Sequence, residues 1–259
     1  MGDDLKEALA RAGIDVSGFA WFRSEPDPIA RLDVDGAQAV AVWRKLRALT
    51  ASNGHYPILV GDEEDVSTHN EAIDSAGEAS TASIIEATAA ALDPVAWARE
   101  HLTAEADDYG DDVDEYLPLL DGEPEDWPDG EPMEGLTLPT NISTGEPRER
   151  ASLLLIPTQI SWHVPAYLRF GAWNDCPPTE LHGGLMRAWE RQYGAQVAGI
   201  SHDVVEMTVE RPPTTRAEAS RLAVVQFAYC RDIVEQGVGT VEDLAATLLN
   251  APYWFFWWD

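Results

Sequence analysis

Basic residues are scarce in this chain. Its 259 residues hold 17 Lys and Arg against 46 Asp and Glu, a formal charge of −29. That shortage argues against nucleic-acid binding, because neutralising a phosphate backbone takes Lys and Arg. Cysteine is nearly absent. Cys176 and Cys230 are too few for a disulfide framework, and a cytoplasmic protein with reduced thiols is the expectation. No apolar run reaches the length of a membrane-spanning helix. The opening Met1-Gly2-Asp3-Asp4-Leu5-Lys6-Glu7 is polar and acidic rather than basic then apolar, so no secretory leader is expected. The chain lacks the glycine pattern that cradles phosphates and the Gly-x-Ser-x-Gly elbow. Its six histidines, His55, His69, His101, His163, His182 and His202, show no close metal-ligand spacing. Neither a cofactor nor a resident metal is expected.

The negative charge is concentrated in the middle. Residues 48–147 carry 25 acidic side chains and one basic one, Arg99, a net of −24. Such a segment is either a solvated acidic surface or a surface for a basic partner, whose approach the opposite field would speed. Within it, Asp107-Asp108-Tyr109-Gly110-Asp111-Asp112-Val113-Asp114-Glu115 could attract Ca²⁺, but it lacks the register and central Gly of an EF-hand loop.

Hydrophobic spacing predicts strands at 19–23, 29–34 and 56–60 and a helix over 37–50, where Ala39, Val42, Trp43, Leu46 and Leu49 recur at helical intervals. Further helices are predicted over about 80–91 and from Asp93-Pro94. Residues 103–150, acidic and rich in Pro and Gly, read as a loop crossing outside the core. Beyond it, strands are expected at 153–156, 165–170, 195–200 and 204–209. Helices are expected at 179–193, from the Thr215/Glu218 capping box to Cys230, and from Thr240/Asp243 to Leu249. The division is 1–102, an N-terminal α/β region; 103–150, a linker; and 151–259, a C-terminal domain.

The chain closes on Tyr253-Trp254-Phe255-Phe256-Trp257-Trp258-Asp259. In a strand, Trp254, Phe256 and Trp258 share one face and Tyr253, Phe255 and Trp257 the other. Both faces are apolar, which predicts a strand covered on both sides rather than an edge. The fold class expected is α+β (mixed α/β), a mixed central sheet containing this aromatic strand and flanked by helices.

Five segments of the C-terminal third are distinctive: Phe170-Gly171-Ala172-Trp173-Asn174-Asp175-Cys176-Pro177, Trp189-Glu190-Arg191-Gln192-Tyr193-Gly194-Ala195, Arg211-Pro212-Pro213, Tyr229-Cys230-Arg231-Asp232-Ile233-Val234-Glu235-Gln236-Gly237 and the aromatic end. Together they resemble a bacterial family known as domain of unknown function 4253, over about residues 150–259. Arg231 stands where that family often has Pro. The resemblance implies a cytoplasmic bacterial protein and carries no catalytic role.

The strongest thiol candidate is Asp175-Cys176, at the mouth of the helix near Thr179, where a helix dipole favours the thiolate and His163, His182 or His202 could act as base. Two prolines after Cys176 leave fewer free amides there. Asp175, Asp203 and Glu206 could form a carboxylate group near strand ends, either for acid–base work or for Mg²⁺, although turn and cap duties explain Asp175 and Asp203 equally well. Arg169 and Arg211 adjoin apolar strands and could pair with Asp175, Asp203 or Asp259, locking the last strand or forming an anion pocket. Trp173, with the terminal rings, could line a ligand groove. The function expected is a non-enzymatic interaction protein with an acidic surface, immunity-like towards a basic toxin. The alternatives are a small hydrolase using Cys176 or the Asp175/Asp203 region, and a ligand-binding regulatory domain.

Overall fold

The computed structural model describes residues 2–25, 27–75, 82–109 and 116–259. Pro26, the first two residues of the expected 80–91 helix and the side chains of the Asp107–Glu115 cluster lie outside the described residues.

Seven strands form one mixed sheet in the order β1-β2-β4-β3-β5-β6-β7. They are β1 (Phe19–Arg23), β2 (Ile29–Val34), β3 (Tyr56–Gly61), β4 (Ala151–Ile156), β5 (Gln196–Ile200), β6 (Val204–Thr208) and β7 (Tyr253–Trp257). All neighbours are antiparallel except β3 and β5. β4 inserts between β2 and β3, so the first sixty residues and the last hundred build a single sheet. β3 and β4 are buried along their whole length, as near-continuous apolar runs in mid-sheet should be. The parallel junction is sparse, with one register pair, Leu59 with Gly199. Pro57 has no N–H to offer there. Side chains substitute: Tyr56 Oη donates to the Val197 carbonyl at 2.8 Å, and Ser161 Oγ accepts from the Val197 amide at 2.8 Å.

One face of the sheet is covered by α1 (Gly2–Arg11) and α2 (Gly36–Asn53) together with Leu136 and Leu138. Asp35 caps α2 by accepting from the Ala37 amide, and Gly54, at φ 76°, closes its end. The other face is covered by α3 (Glu63–Ser75), α5 (Pro94–Tyr109), α6 (Val164–Leu168), α7 (Thr179–Tyr193), α8 (Arg216–Tyr229) and α9 (Val241–Leu248). α4 (Ala82–Ala91) lies on α7, where Gly183 leaves room for Ile85 to approach the α7 backbone. Both expected capping boxes form: Thr215 accepts from the Glu218 amide and Thr240 from the Asp243 amide. Among the described residues, no helix is long and apolar enough to cross a membrane.

The expected architecture holds, with three corrections. First, β7 lies in the sheet but at its edge. Trp254, Phe256 and Trp258 are buried, while Tyr253, Phe255 and Trp257 are only half-buried. The alternation is real, but the second apolar face lines a cleft. Second, residues 165–170 form no strand. Ser161–His163 make a 3-10 turn that runs into the short helix α6, with Pro165 in its first turn and Arg169 in the left-handed region at φ 54°. Third, residues 103–150 do not bypass the core. α5 continues to Tyr109, and Leu119, Leu120, Leu136 and Leu138 are buried. The carboxylate of Glu206 draws this segment onto the sheet by accepting from Thr137 Oγ1 at 2.6 Å and from the Leu138 amide at 3.3 Å.

The unequal faces of β7 set a stability test. Trp254→Ala is expected to cost about 3–5 kcal/mol in urea unfolding, as for other aromatic truncations in cores. Trp257→Ala, on the half-buried face, should cost about 1–2 kcal/mol, mainly a hydrogen bond and partial cover. Equal losses would contradict the assignment of faces.

Candidate functional site

The carboxyl ends of the parallel pair β3 and β5 meet the start of β6, the end of β7 and the approach to β4. Open α/β sheets commonly bind ligands at such a point. Here it is a cleft of about 610 Å³. Its geometry begins at Gly61, whose φ of 119° ends β3 and whose missing Cβ makes way for the Asp65 carboxylate. Asp62 Oδ1 accepts from the Glu64 amide at 3.0 Å, and Asp65 Oδ2 accepts from the Asp62 amide at 3.0 Å. The two aspartates thus cap the start of α3, where Asp62 takes the amides of Glu64, Asp65 and Val66.

Asp65 also accepts from His202. Its Oδ1 is 2.7 Å from His202 Nδ1 and 3.4 Å from the His202 amide. A carboxylate only accepts, so Nδ1 carries the proton in this arrangement. His202 Nε2 lies 3.4 Å from Asp203 Oδ2. Asp203 is itself fixed, accepting from Ser201 Oγ at 2.9 Å and Trp257 Nε1 at 3.1 Å, while its carbonyl accepts from the Trp258 amide at 3.1 Å. Across the cleft, Arg148 pairs with Asp62 and donates from Nε to the Leu138 carbonyl at 3.2 Å. A small loop forms the rim, closed by the Asn141 amide on the Glu146 carbonyl at 2.8 Å, and its Ile142 is 80% exposed.

Four carboxylates, Asp62, Glu64, Asp65 and Asp203, face two basic groups, Arg148 and His202. Partial burial opposes protonation of His202, but the hydrogen bond to Asp65 and the charges of Asp203, Asp65 and Glu64 outweigh it and raise its pKa. Phe255 and Trp257 supply the aromatic wall.

The thiol candidate sits elsewhere, inside the core. Cys176 Sγ is 3.5 Å from His182 Nε2, and His182 Nδ1 is 2.7 Å from Tyr229 Oη. The sequence pairing of Cys176 with His182 is therefore geometrically real. Burial pushes the thiol well up, with the neighbouring Cys230 adding to it. Burial also pulls His182 down to about 3, against a hydrogen bond to the Pro177 carbonyl. Thiol and imidazole both stay neutral, and Cys176 is only 3% exposed. Phe170, Tyr229 and Trp258 surround His182 at ring distances of 5.0, 5.4 and 5.6 Å.

The remaining candidates disperse. Asp175 is exposed, and Trp173 is half-buried in the turn that bridges to Cys176. Glu206 lies buried on the sheet face, held by Thr137 and Leu138, with burial raising its pKa against those bonds. His163 lies 3.4 Å from Glu86. Arg211 does not lock the last strand. It meets Glu210 at 3.1 Å and donates to the Glu190 and Arg191 carbonyls at the end of α7. Asp259 is held through its main chain, donating to Asp232 at 2.9 Å and accepting from Asn174 at 2.9 Å. Arg169 is half-buried at the end of α6. Among the described residues, no three His, Cys, Asp or Glu side chains gather as metal ligands.

Of the cleft residues, the sequence reading named Asp203 and His202 but missed Asp62, Asp65 and Arg148. Asp62-x-x-Asp65 directly after a buried strand and Gly61 was the available signal, being a helix-start pattern.

As the motifs of the C-terminal third led us to expect, residues 152–259 match the family model described as Domain of unknown function (DUF4253). No curated protein and no solved structure matches the chain. The matched stretch contains Ser201, His202, Asp203 and Trp257, whereas Asp62, Asp65 and Arg148 precede it. The cleft is thus a composite of the matched stretch and the chain before it.

The histidines provide the check on these electrostatics. His202, with its folded pKa raised, adds stability that is complete below its unfolded value near 6.5 and fades as pH rises through the folded value. His182 and His69, both lowered, add stability present above 6.5 that is lost as pH falls towards their folded values. In an NMR titration, His202 is expected to be protonated and His182 neutral at pH 5, and Asp65→Asn should lower the His202 midpoint. A His182 ring that protonates at pH 6 would contradict the assigned burial.

Proposed function

We propose that this chain is a cytoplasmic bacterial binding protein without catalytic activity, whose acidic cleft receives a Lys or Arg side chain of a basic protein partner. The observation that carries this reading is the composition of the cleft. Its carboxylates outnumber its bases, Arg148 and His202 are already paired with Asp62 and Asp65, and the aromatic side chains of Phe255 and Trp257 line it. Ile142, exposed on the rim, supplies apolar contact beside the charged centre. The surplus of negative charge along 48–147 would speed the encounter and make it sensitive to salt. Within this reading the partner is a basic toxin-like nuclease, and this chain acts as its immunity protein.

A second reading draws on a single observation. His202, held by Asp65 at 2.7 Å, has the arrangement of an oriented acid–base residue. It carries a hydrolase alternative better than Cys176, whose thiol is buried and protonated.

An Arg-rich peptide titrated by calorimetry tests the binding reading. Glu64→Lys and Ile142→Asp alter exposed positions, so folding is not at stake. Each is expected to weaken the peptide by about tenfold, on the scale of one charged or apolar anchor. Neutralising Glu123, Glu125 and Asp126, outside the cleft, should change affinity less than about threefold. Affinity that tracks total charge, regardless of position, would overturn the reading. Turnover of an ester or phosphoester panel that His202→Asn abolishes would favour the second.

A further inference from the structure

His202 sits between two carboxylates, and its ring can satisfy both only as the imidazolium. Nδ1 is 2.7 Å from Asp65 Oδ1, and Nε2 is 3.4 Å from Asp203 Oδ2. A carboxylate only accepts, and a neutral imidazole has one N–H. With that hydrogen on Nδ1, the bare Nε2 faces the Asp203 oxygen, acceptor against acceptor. With it on Nε2, the clash moves to the shorter contact with Asp65. Either way, loss of the second proton leaves one side of the bridge repulsive.

The two carboxylates are not equally free to take a new partner. The Asp65 side chain is 8% exposed, and its oxygens also hold the amides of Asp62 and His202. The Asp203 side chain is 23% exposed. It accepts from Ser201 Oγ and Trp257 Nε1, and it has a lone pair to spare once Nε2 no longer donates. The other charged groups near the ring are accounted for. Asp62 pairs with Arg148 across the cleft, and Glu64 of α3 is exposed. His69 of α3 is buried against the Ile200 carbonyl, and burial lowers its pKa, so it stays neutral. Among the described residues, the β7 wall and the rim loop bring no charge to the cleft. The carboxylates around His202 hold its pKa above the ordinary 6.5, which puts its titration within reach of neutral pH.

We propose that the cleft exchanges a proton on His202 for the partner's cation, so that a Lys or Arg side chain binds Asp203 when His202 is neutral and is displaced when His202 is protonated. This rests on the reading of the cleft as a site for a basic side chain and adds its regulation. The partner is held at neutral to alkaline pH and released on acidification. The expelled proton passes to solvent. By reciprocity, the cation disfavours the proton as strongly as the proton disfavours the cation.

Calorimetry on the full chain tests this with an Arg-rich peptide, acetylated and amidated, free of other ionisable residues, at fixed ionic strength. From pH 8 to pH 5.5 affinity is expected to fall about five- to tenfold, on the scale of ordinary coupling between sites. Titrations at pH 7 in phosphate and in Tris, whose heats of protonation differ, should show release of roughly half a proton per peptide bound, as a tenfold coupling implies. His202→Asn, at a half-exposed position, keeps an N–H for Asp65. It should hold affinity within about twofold over that pH range and release no proton. The buffer comparison on the unaltered chain needs no variant to fold. No binding at any pH would overturn the cationic-partner reading and this inference with it. Affinity that stays within about twofold from pH 8 to pH 5.5, binding without proton release, or a pH dependence that survives His202→Asn would each overturn this inference alone.

Discussion

On one side of β7, the rings of Trp254, Phe256 and Trp258 meet those of α7 and α8. Trp189 stacks on Phe256 at 5.5 Å with parallel planes and meets Trp254 edge-on at 5.8 Å. Tyr229 contacts Phe256 at 4.9 Å and Trp258 at 5.2 Å. Offset and edge-on ring pairs add specific geometry to a large apolar area. That contact fixes where the last strand lies. Because β7 is an edge strand, its position depends on β6 and this ring cluster more than on a second neighbour. The end of β7 then places Trp257 against Asp203 and the Trp258 amide against the Asp203 carbonyl, which sets one wall of the cleft. The free edge of the same strand borders a second cavity.

The same cluster explains why a cysteine, a histidine and a tyrosine in hydrogen-bonding sequence do not make a reactive site. Cys176, His182 and Tyr229 are the polar component of an aromatic core. Desolvation drives the thiol up and the imidazole down, the opposite of what a thiolate–imidazolium pair needs. The cleft has the contrary environment. His202 is half-exposed and flanked by carboxylates, so its charged form is favoured. Its parts include the end of β3, the segment leading into β4, the β5–β6 turn and the end of β7. The β5–β6 turn and β7 lie in the stretch that matches the family model, while the end of β3 and Arg148 precede it, and this ties any function of the cleft to the whole chain.

Local signals were legible in the sequence. Thr215 with Glu218, Thr240 with Asp243, Gly54 and Gly194 mark helix ends by chemistry confined to a few residues. The ring alternation of 253–258 was equally readable, as was the sheet it enters. What failed depends on distant partners. Pro165 within an apolar stretch starts a helical turn because Ser161–His163 leads into it, and alternation alone could not choose. The acidic segment looked like a solvated crossing because its composition is polar. Yet four leucines, Leu119, Leu120, Leu136 and Leu138, are enough to hold it to the core once Glu206 accepts from Thr137 and Leu138. The cleft required knowing that β3 lies beside β5, a pairing across more than a hundred residues that no local pattern encodes.

The central claim is that ring packing on one face of β7 seals an edge strand into the core. Hydrogen exchange resolved by residue addresses it most directly. The inward amides of Trp254, Phe256 and Trp258 should exchange only through global unfolding, far more slowly than the outward amide of Phe255, and Trp189→Ala should erase that difference. Uniformly fast exchange across Trp254 to Trp258, as in a frayed end, would contradict it.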